Sequence, residues 1–199
     1  FHPLEPPPAA PETGTETAMS TTTAFTPVDP SSATGTTAEL LAQVRKSLGT
    51  VPNMTAAMAN SPTLLKAYLA LSGAVAGGAL SPAARERLAV ATAQLNGCEY
   101  CLSAHTYVGA QVAKIDADEL ERARRGQSQD PHLAALLELS NTIAENAGDV
   151  DAEDLDRARR AGVTDEEIGE LVANLALNIL TNYFNVLAGV DNDWPVVSL

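Results

Sequence analysis

Cys98, Cys101 and His105 fall within eight residues, in Gly97-Cys98-Glu99-Tyr100-Cys101-Leu102-Ser103-Ala104-His105, and the chain has two cysteines in all. On a helix, positions three and four apart share a face, so this spacing puts two sulfurs and an imidazole side by side. A disulfide across two intervening residues closes a small ring, suited to cycling rather than to stapling a fold. Thiol redox chemistry is the expectation. Gly97 places Cys98 at a helix start, where outward N–H groups favour a thiolate. His105 stands four residues after Cys101 and could take that thiol's proton, directly or through water. The helix end therefore favours Cys98 as nucleophile and the histidine favours Cys101, and the spacing leaves both open.

Other uses of the pair fit less well. Two cysteines do not make the disulfide framework of a small secreted domain. A structural zinc site needs four ligands, and the remaining histidines, His2 and His132, have no histidine partner nearby. A thioredoxin-type CxxC follows a strand, and no convincing strand run occurs here.

The elements that must position the dithiol read as helices. Thr36-Thr37-Ala38-Glu39 has the form of a capping box opening a helix to about Leu48. Ser61-Pro62 and Ser81-Pro82 each pair an N-cap with proline at the first helical position. Leu64, Leu65, Tyr68, Leu69 and Leu71 form the stripe of the first of these helices, which Gly77-Gly78 ends. The second runs toward Leu95, and Asn96-Gly97 breaks it before the CxxC helix, expected to reach Lys114. Asp116, Asp130 and Asp151 cap further helices, and Thr164 to Glu167 opens a long last one that Gly189 stops. Asp191 to Leu199, with Trp194-Pro195, reads as a tail. The segment from Asp116 to Arg125 recurs 35 residues later as Asp151 to Arg160, a helical duplication or a convergence of two acidic, arginine-ended surface helices. Their arginines read as solvated helix ends. Asn174, Asn178 and Asn182, with Asn185 nearby, make a polar stripe on the apolar last helix. Buried amides need partners, so a helix–helix or subunit interface is expected, with the lining of the redox pocket as the alternative.

Composition narrows the class. Residues are 45% hydrophobic but only 4% aromatic, so alanine and leucine must fill the core, which suits close-packed helices. The expected fold is all-α. A net charge of −13 argues against a nucleic-acid or polybasic membrane-surface role, and no stretch is expected to span a bilayer. Residues 1–35 hold seven of the twelve prolines and few large apolar residues. They read as a Pro/Thr-rich extension or tag remnant, processed or foreign, that drapes over the body or a neighbour. Met19 is a candidate native start. Residues 36–199 form the helical domain.

Glu86, twelve residues before Cys98, with Cys98-x-x-Cys101-x-x-x-His105, resembles the core motif of the AhpD-like alkylhydroperoxidases of the carboxymuconolactone decarboxylase superfamily. Val51-Pro52-Asn53-Met54, Ser61-Pro62, Ala67 to Gly73 and Tyr183-Phe184-Asn185 are similar to its peroxidase-related branch, over roughly residues 36 to 197. The resemblance implies an AhpD-like helical fold with the CxxC at the start of a core helix near a subunit contact. It implies dimers, trimers or hexamers, and a cytoplasmic antioxidant enzyme with no bound cofactor or metal. Its substrate would be a hydroperoxide, and its donor an external dithiol such as a lipoylated protein or another redox protein.

By that resemblance Cys101 is the peroxidatic thiol, Cys98 resolves its sulfenic acid, and Glu86 and His105 relay protons. Glu86 by itself, between Arg85 and Arg87, reads as an exposed carboxylate unless Val90 and Ala93 turn its face toward the CxxC helix. Tyr100 is a departure, since the best-known peroxidase of the family has a histidine there; a tyrosine donates a hydrogen bond but is no base near neutral pH. The decarboxylase branch lacks the CxxC, which argues against a muconolactone substrate. The alternatives carried forward are a lipoamide- or protein-disulfide oxidoreductase without physiological peroxidase activity, and a redox-sensing oligomer that does not turn over.

Overall fold

A computed structural model describes residues 25–199; Met19, His2 and most of the proline-rich extension lie outside the described residues. The elements are α1 (Gly35–Leu48), α2 (Asn53–Met58), α3 (Pro62–Ala76), α4 (Pro82–Leu95), α5 (Glu99–Gln111), α6 (Ala117–Arg124), α7 (Pro131–Glu145), α8 (Ala152–Arg160) and α9 (Asp165–Ala188). No strand occurs among the described residues. The fold is all-α.

Helix α4 lies at the centre, packed on α5, α6, α7 and α9. Ala84, Leu88, Ala89, Val90, Ala91, Thr92 and Ala93 are all buried, so this helix hides almost its whole circumference. Small alanine side chains allow that close approach from several sides. Ser61 and Ser81 cap α3 and α4 as their Ser-Pro pairs predict. Asp116 and Asp130 cap α6 and α7 through their side chains, whereas Asp151 stands at the N-cap of α8 without a side-chain bond. The box expected at Thr36 to Glu39 does not form. Helix α1 starts earlier, at Gly35 with Thr34 as its N-cap, and Thr36 is already inside the first turn. Helix α2 lacks a long apolar period and was not foreseen as an element.

Helix α9 is the spine of the molecule. A reciprocal capping box between Thr164 and Glu167 opens it, and Gly189 closes it in the left-handed region at φ 58°. Glu170 on its second turn accepts hydrogen bonds from the Ala79 and Leu80 amides at 2.7 and 2.9 Å, tying the α3–α4 loop to α9. Contrary to expectation, this helix is long and apolar enough, by length and composition, to cross a bilayer. Its contacts are those of a core helix: it packs on α3, α4, α5 and α7 and buries four asparagines.

Two apolar clusters flank that spine. One joins α4 to α8 and the inner face of α9; the other joins Leu40, Leu41 and Val44 of α1 with Met58, Leu65, Phe184 and Ala188. Phe25 and Val28 seal the second cluster, with the Phe25 and Phe184 rings 5.8 Å apart and the Val28 amide donating to Ala56 O at 3.0 Å. The described end of the proline-rich extension is therefore laid against the body.

Two glycines shape the CxxC helix. Gly97 has φ +64°, a left-handed turn that reverses the chain out of α4 and into Cys98. At Gly109 a Cβ would meet Leu120 Cδ2 at 2.8 Å and would lie 3.7 Å from Glu86 Cβ, so the missing side chain lets α5 press onto α4 and α6. Helix α5 stops at Gln111, short of the expected Lys114, which takes a left-handed φ of 56°. Leu102, directly after Cys101, is fully buried. Replacing it by alanine should cost about 2–5 kcal/mol, read as a lower urea midpoint.

Candidate functional site

Cys98 is the N-cap of α5, and its Sγ accepts the Cys101 amide hydrogen at 3.3 Å. A thiol is thus used where serine or aspartate would usually stand. Both cysteines are reduced, and the Cys98 thiol donates to Cys101 Sγ at 2.7 Å. From α9, Asn185 Nδ2 donates to the same sulfur at 3.1 Å and also lies 3.3 Å from Met54 Sδ. Cys98 and Cys101 are only 1% and 2% exposed, so a thiolate here depends on those donors rather than on water.

These contacts separate the two thiols. The hydrogen bond given to Cys101, then burial, then the charge at Cys101 push the Cys98 thiol well above the ordinary cysteine value. Cys101 moves the other way. The Cys98 hydrogen bond lowers it, burial opposes, and Asn185, Asn182 and Thr181 lower it further. Asn182 Nδ2 is buried without a conventional hydrogen bond, which leaves it free to act on the sulfur at longer range. Between the two pulls left open by the spacing, these contacts favour the charged form at Cys101 over Cys98, and the donors responsible come chiefly from Cys98 and α9.

His105 does not supply that stabilisation directly. Its Nδ1 is engaged with Glu86 Oε2 at 2.8 Å, and no hydrogen bond joins it to either sulfur among the described residues. Burial by itself would lower the imidazole's pKa, but the charge and hydrogen bond of Glu86 prevail and hold it above the ordinary histidine value. Glu86 is drawn off the surface, its side chain 19% exposed, because α4 presents it to α5.

Cys101, Glu86 and His105 line one cavity of about 310 Å³, with Met54, Tyr68, Val75, Leu177 and Trp194 among its walls. Cys98 is not part of the lining and sits behind Cys101. Tyr68, on α3, was not singled out for chemistry; burial first, then the Cys101 charge, raise its phenol. Its place in an amphipathic stripe marked it only as core. Tyr100 also touches the cavity, yet its hydroxyl points away and donates to Asp193 Oδ2 at 2.6 Å.

Two expectations for the periphery change. The asparagine stripe belongs to the redox site: Asn174 and Asn178 line the cavity and Asn185 reaches the sulfur, while Asn182 Oδ1 accepts from Asn96 at 3.0 Å. The helix–helix contact expected for the stripe is present at Asn96, and the pocket lining is present with it. The tail is not free either. Trp194 stacks on Tyr107 with ring centres 5.5 Å apart, and Arg124, one of the arginines read as solvated, holds Ser198 O at 2.8 Å. His132 turns to Glu167 at 2.9 Å, and no group of three or more His, Cys, Asp and Glu side chains gathers to hold an ion among the described residues.

With this geometry in view, comparison with known proteins places the chain. Residues 62–139 match the model of the carboxymuconolactone decarboxylase family. The matched segment runs from α3 into α7 and holds the CxxC helix, and the fold is AhpD-like. No curated protein matches its sequence. Among solved structures it is similar to the alkylhydroperoxidase AhpD core of an uncharacterized peroxidase-related protein from Ralstonia eutropha JMP134. That match has 22% identity and a TM-score of 0.76, covering 85% of this chain and 91% of the other. A peroxidase-related protein from Silicibacter sp. TM1040 matches at 23% identity and TM-score 0.69, over 78% and 83% of the two chains. The debrominase Bmp8, also solved in complex with 2,3,4-tribromopyrrole, matches at 21% identity and TM-score 0.69, over 84% and 91%.

If Asn185 stabilises the Cys101 thiolate, Asn185→Leu removes the donor and keeps the bulk. The midpoint of the pH profile for alkylation should rise by roughly 1 unit, slowing the reaction at neutral pH about tenfold. Iodoacetamide kinetics across pH, with the labelled cysteine mapped by mass spectrometry, give the answer.

Proposed function

We propose that the chain is a thiol-dependent alkylhydroperoxide reductase, with Cys101 peroxidatic, Cys98 resolving, and Glu86 and His105 as the proton relay. The observation that carries this is the asymmetry of the dithiol. Cys101 faces the cavity and is stabilised as a thiolate, while Cys98 stays protonated behind it at 2.7 Å. The Cys101 thiolate attacks the distal oxygen of the peroxide, breaking the O–O bond and giving a sulfenic acid and an alkoxide. A proton from the His105–Glu86 pair converts the alkoxide to alcohol. Cys98 then attacks the sulfenic sulfur, forming the disulfide and releasing water. An external dithiol, in this reading a lipoylated protein or another small redox protein, returns both electrons by thiol–disulfide exchange.

Depth favours a slender donor. Two sulfurs this buried are out of reach of a disulfide held rigidly on a protein surface, whereas an arm carrying a dithiol can enter the cavity. A cytoplasmic location suits a dithiol that must be reduced again after each turnover. The outer face of α9, with Val172, Tyr183, Val186 and Leu187 exposed, is an uncharged ridge on a body of formal charge −13. That face suits contact with a second copy, which would repel the first across most other surfaces; the solution mass by light scattering tests it.

A second reading draws on the cavity walls. Tyr68, Trp194 and Met54 around about 310 Å³ suit a flat aromatic body, more than the smallest peroxides require. Reductive dehalogenation would use the same dithiol: Cys101 takes the halogen from the ring, the ring carbon takes a proton, and Cys98 displaces halide as the disulfide forms.

The deciding experiment is single-turnover oxidation by an organic hydroperoxide, followed by mass spectrometry. Loss of two hydrogens with a Cys98–Cys101 disulfide, a trapped sulfenic acid at Cys101 in Cys98→Ser, and no peroxide consumption by Cys101→Ser are expected. A dithiol inert to peroxide that releases bromide from a bromoarene supports the second reading. Inertness to both with rapid lipoamide exchange makes the protein a disulfide reductase. A change of assembly mass on oxidation without turnover makes it a sensor.

A further inference from the structure

The segment after α9 runs back along the CxxC helix and grips one face of it. Tyr100, Ser103 and Tyr107 lie at helical spacing on α5, and each meets this strap. The Tyr100 hydroxyl donates to Asp193 Oδ2 at 2.6 Å. Ser103 Oγ accepts from Asn192 Nδ2 and from the Val197 amide, both at 3.0 Å. Tyr107 stacks on Trp194. Asp193 Oδ2 also accepts the Asn53 amide at 2.9 Å, so one carboxylate oxygen ties the first turn of α5 to the start of α2. Asn53 Nδ2 returns the contact through Asp191 O at 3.1 Å.

Tyr100 is the residue through which this grip reaches the chemistry, because it stands between Cys98 and Cys101. We propose that Asp193 is a positioning residue for the dithiol. By accepting from Tyr100 and Asn53 it fixes the turn on which Cys98 Sγ, as N-cap, faces Cys101 Sγ. A turn released from the strap would lose the alignment of the sulfur–sulfur hydrogen bond, since its strength depends on the distance and angle that the turn sets. Trp194, the next residue, walls the same cavity as Cys101, so the strap also forms part of the pocket. The inference rests on the reading of Cys101 as the reactive thiol. Besides Cys98, the titratable and charged groups around its cavity are Tyr68 from α3, Arg85 and Glu86 from α4, and Tyr100 and His105 from α5, with Asp193 acting through Tyr100.

The test compares Asp193→Ala, Asp193→Asn and Tyr100→Phe with the parent in the pH profile of alkylation, the redox potential of the dithiol and the melting temperature. Tyr100→Phe removes one hydroxyl and keeps the ring in place, which covers the case in which Asp193→Ala does not fold. Asp193→Ala and Tyr100→Phe are expected to shift the Cys101 profile upward and slow alkylation at neutral pH about threefold or more. Asp193→Asn, whose amide oxygen can still accept both hydrogen bonds, is expected to stay within twofold of the parent. Melting temperatures that fall while the profiles and potentials superimpose on the parent's would overturn the proposal, since support of the fold alone predicts that pattern. Loss of the profile in Asp193→Asn to the same extent as in Asp193→Ala would also overturn it. Labelling mapped to Cys98 in the parent would instead remove the assignment of Cys101 on which the inference depends.

Discussion

A sulfur buried away from water yet given hydrogen bonds from two sides is the constraint around which this molecule is arranged. Cys101 lies out of water, and an apolar surrounding disfavours a thiolate. Two sources offset that cost: the Cys98 thiol across 2.7 Å and the Asn185 amide across 3.1 Å. The second works only if α5 and α9 hold a fixed separation. The fold then reads as a device for keeping that separation, with α4 as the common wall behind both helices.

The same requirement explains why the polar residues of α9 face inward. A helix this apolar would be most stable with leucine at Asn174, Asn178, Asn182 and Asn185, and each buried amide carries a desolvation penalty unless it is used. Asn174 and Asn178 are partly satisfied by carbonyls one turn back, at 2.9 Å each. Asn185 gives its amide hydrogen to sulfur, while its Oδ1 is buried without a partner among the described residues. The stripe thus faces the dithiol and its cavity, which accounts for an asparagine spacing that helix amphipathicity alone leaves unexplained.

Glu86 and His105 form a separate unit, hydrogen-bonded to each other and not to either sulfur among the described residues. Their pairing favours the protonated imidazole over more of the pH range, which suits a proton donor better than a base that deprotonates Cys101. In the proposed mechanism α9 would set the charge on sulfur and the α4–α5 pair would handle protons. Gly109 enables the pairing, because the approach it permits brings Glu86 against α5 one turn from His105.

Much of this was legible in the chain as written. The Ser-Pro caps, the Thr164–Glu167 box, Gly97 before Cys98 and the i+3, i+4 spacing of the dithiol and histidine are local signals, and local hydrogen bonding decides them. Helix α2 escaped because six residues are too few to show a period, and the Thr36 box failed because Thr34 reached the N-cap position first. The donors that reach Cys101, the turning of Glu86 off the surface onto His105, the inward turn of the asparagines and the docking of Asp193 on Tyr100 were decided only in three dimensions. Each depends on contacts between residues 19 to 93 positions apart, such as Glu86 with His105, Asn185 with Cys101, and Asp193 with Tyr100. Sequence spacing specifies what shares a helix face. Which faces meet follows from packing the whole chain, and the charge on Cys101 depends on that meeting.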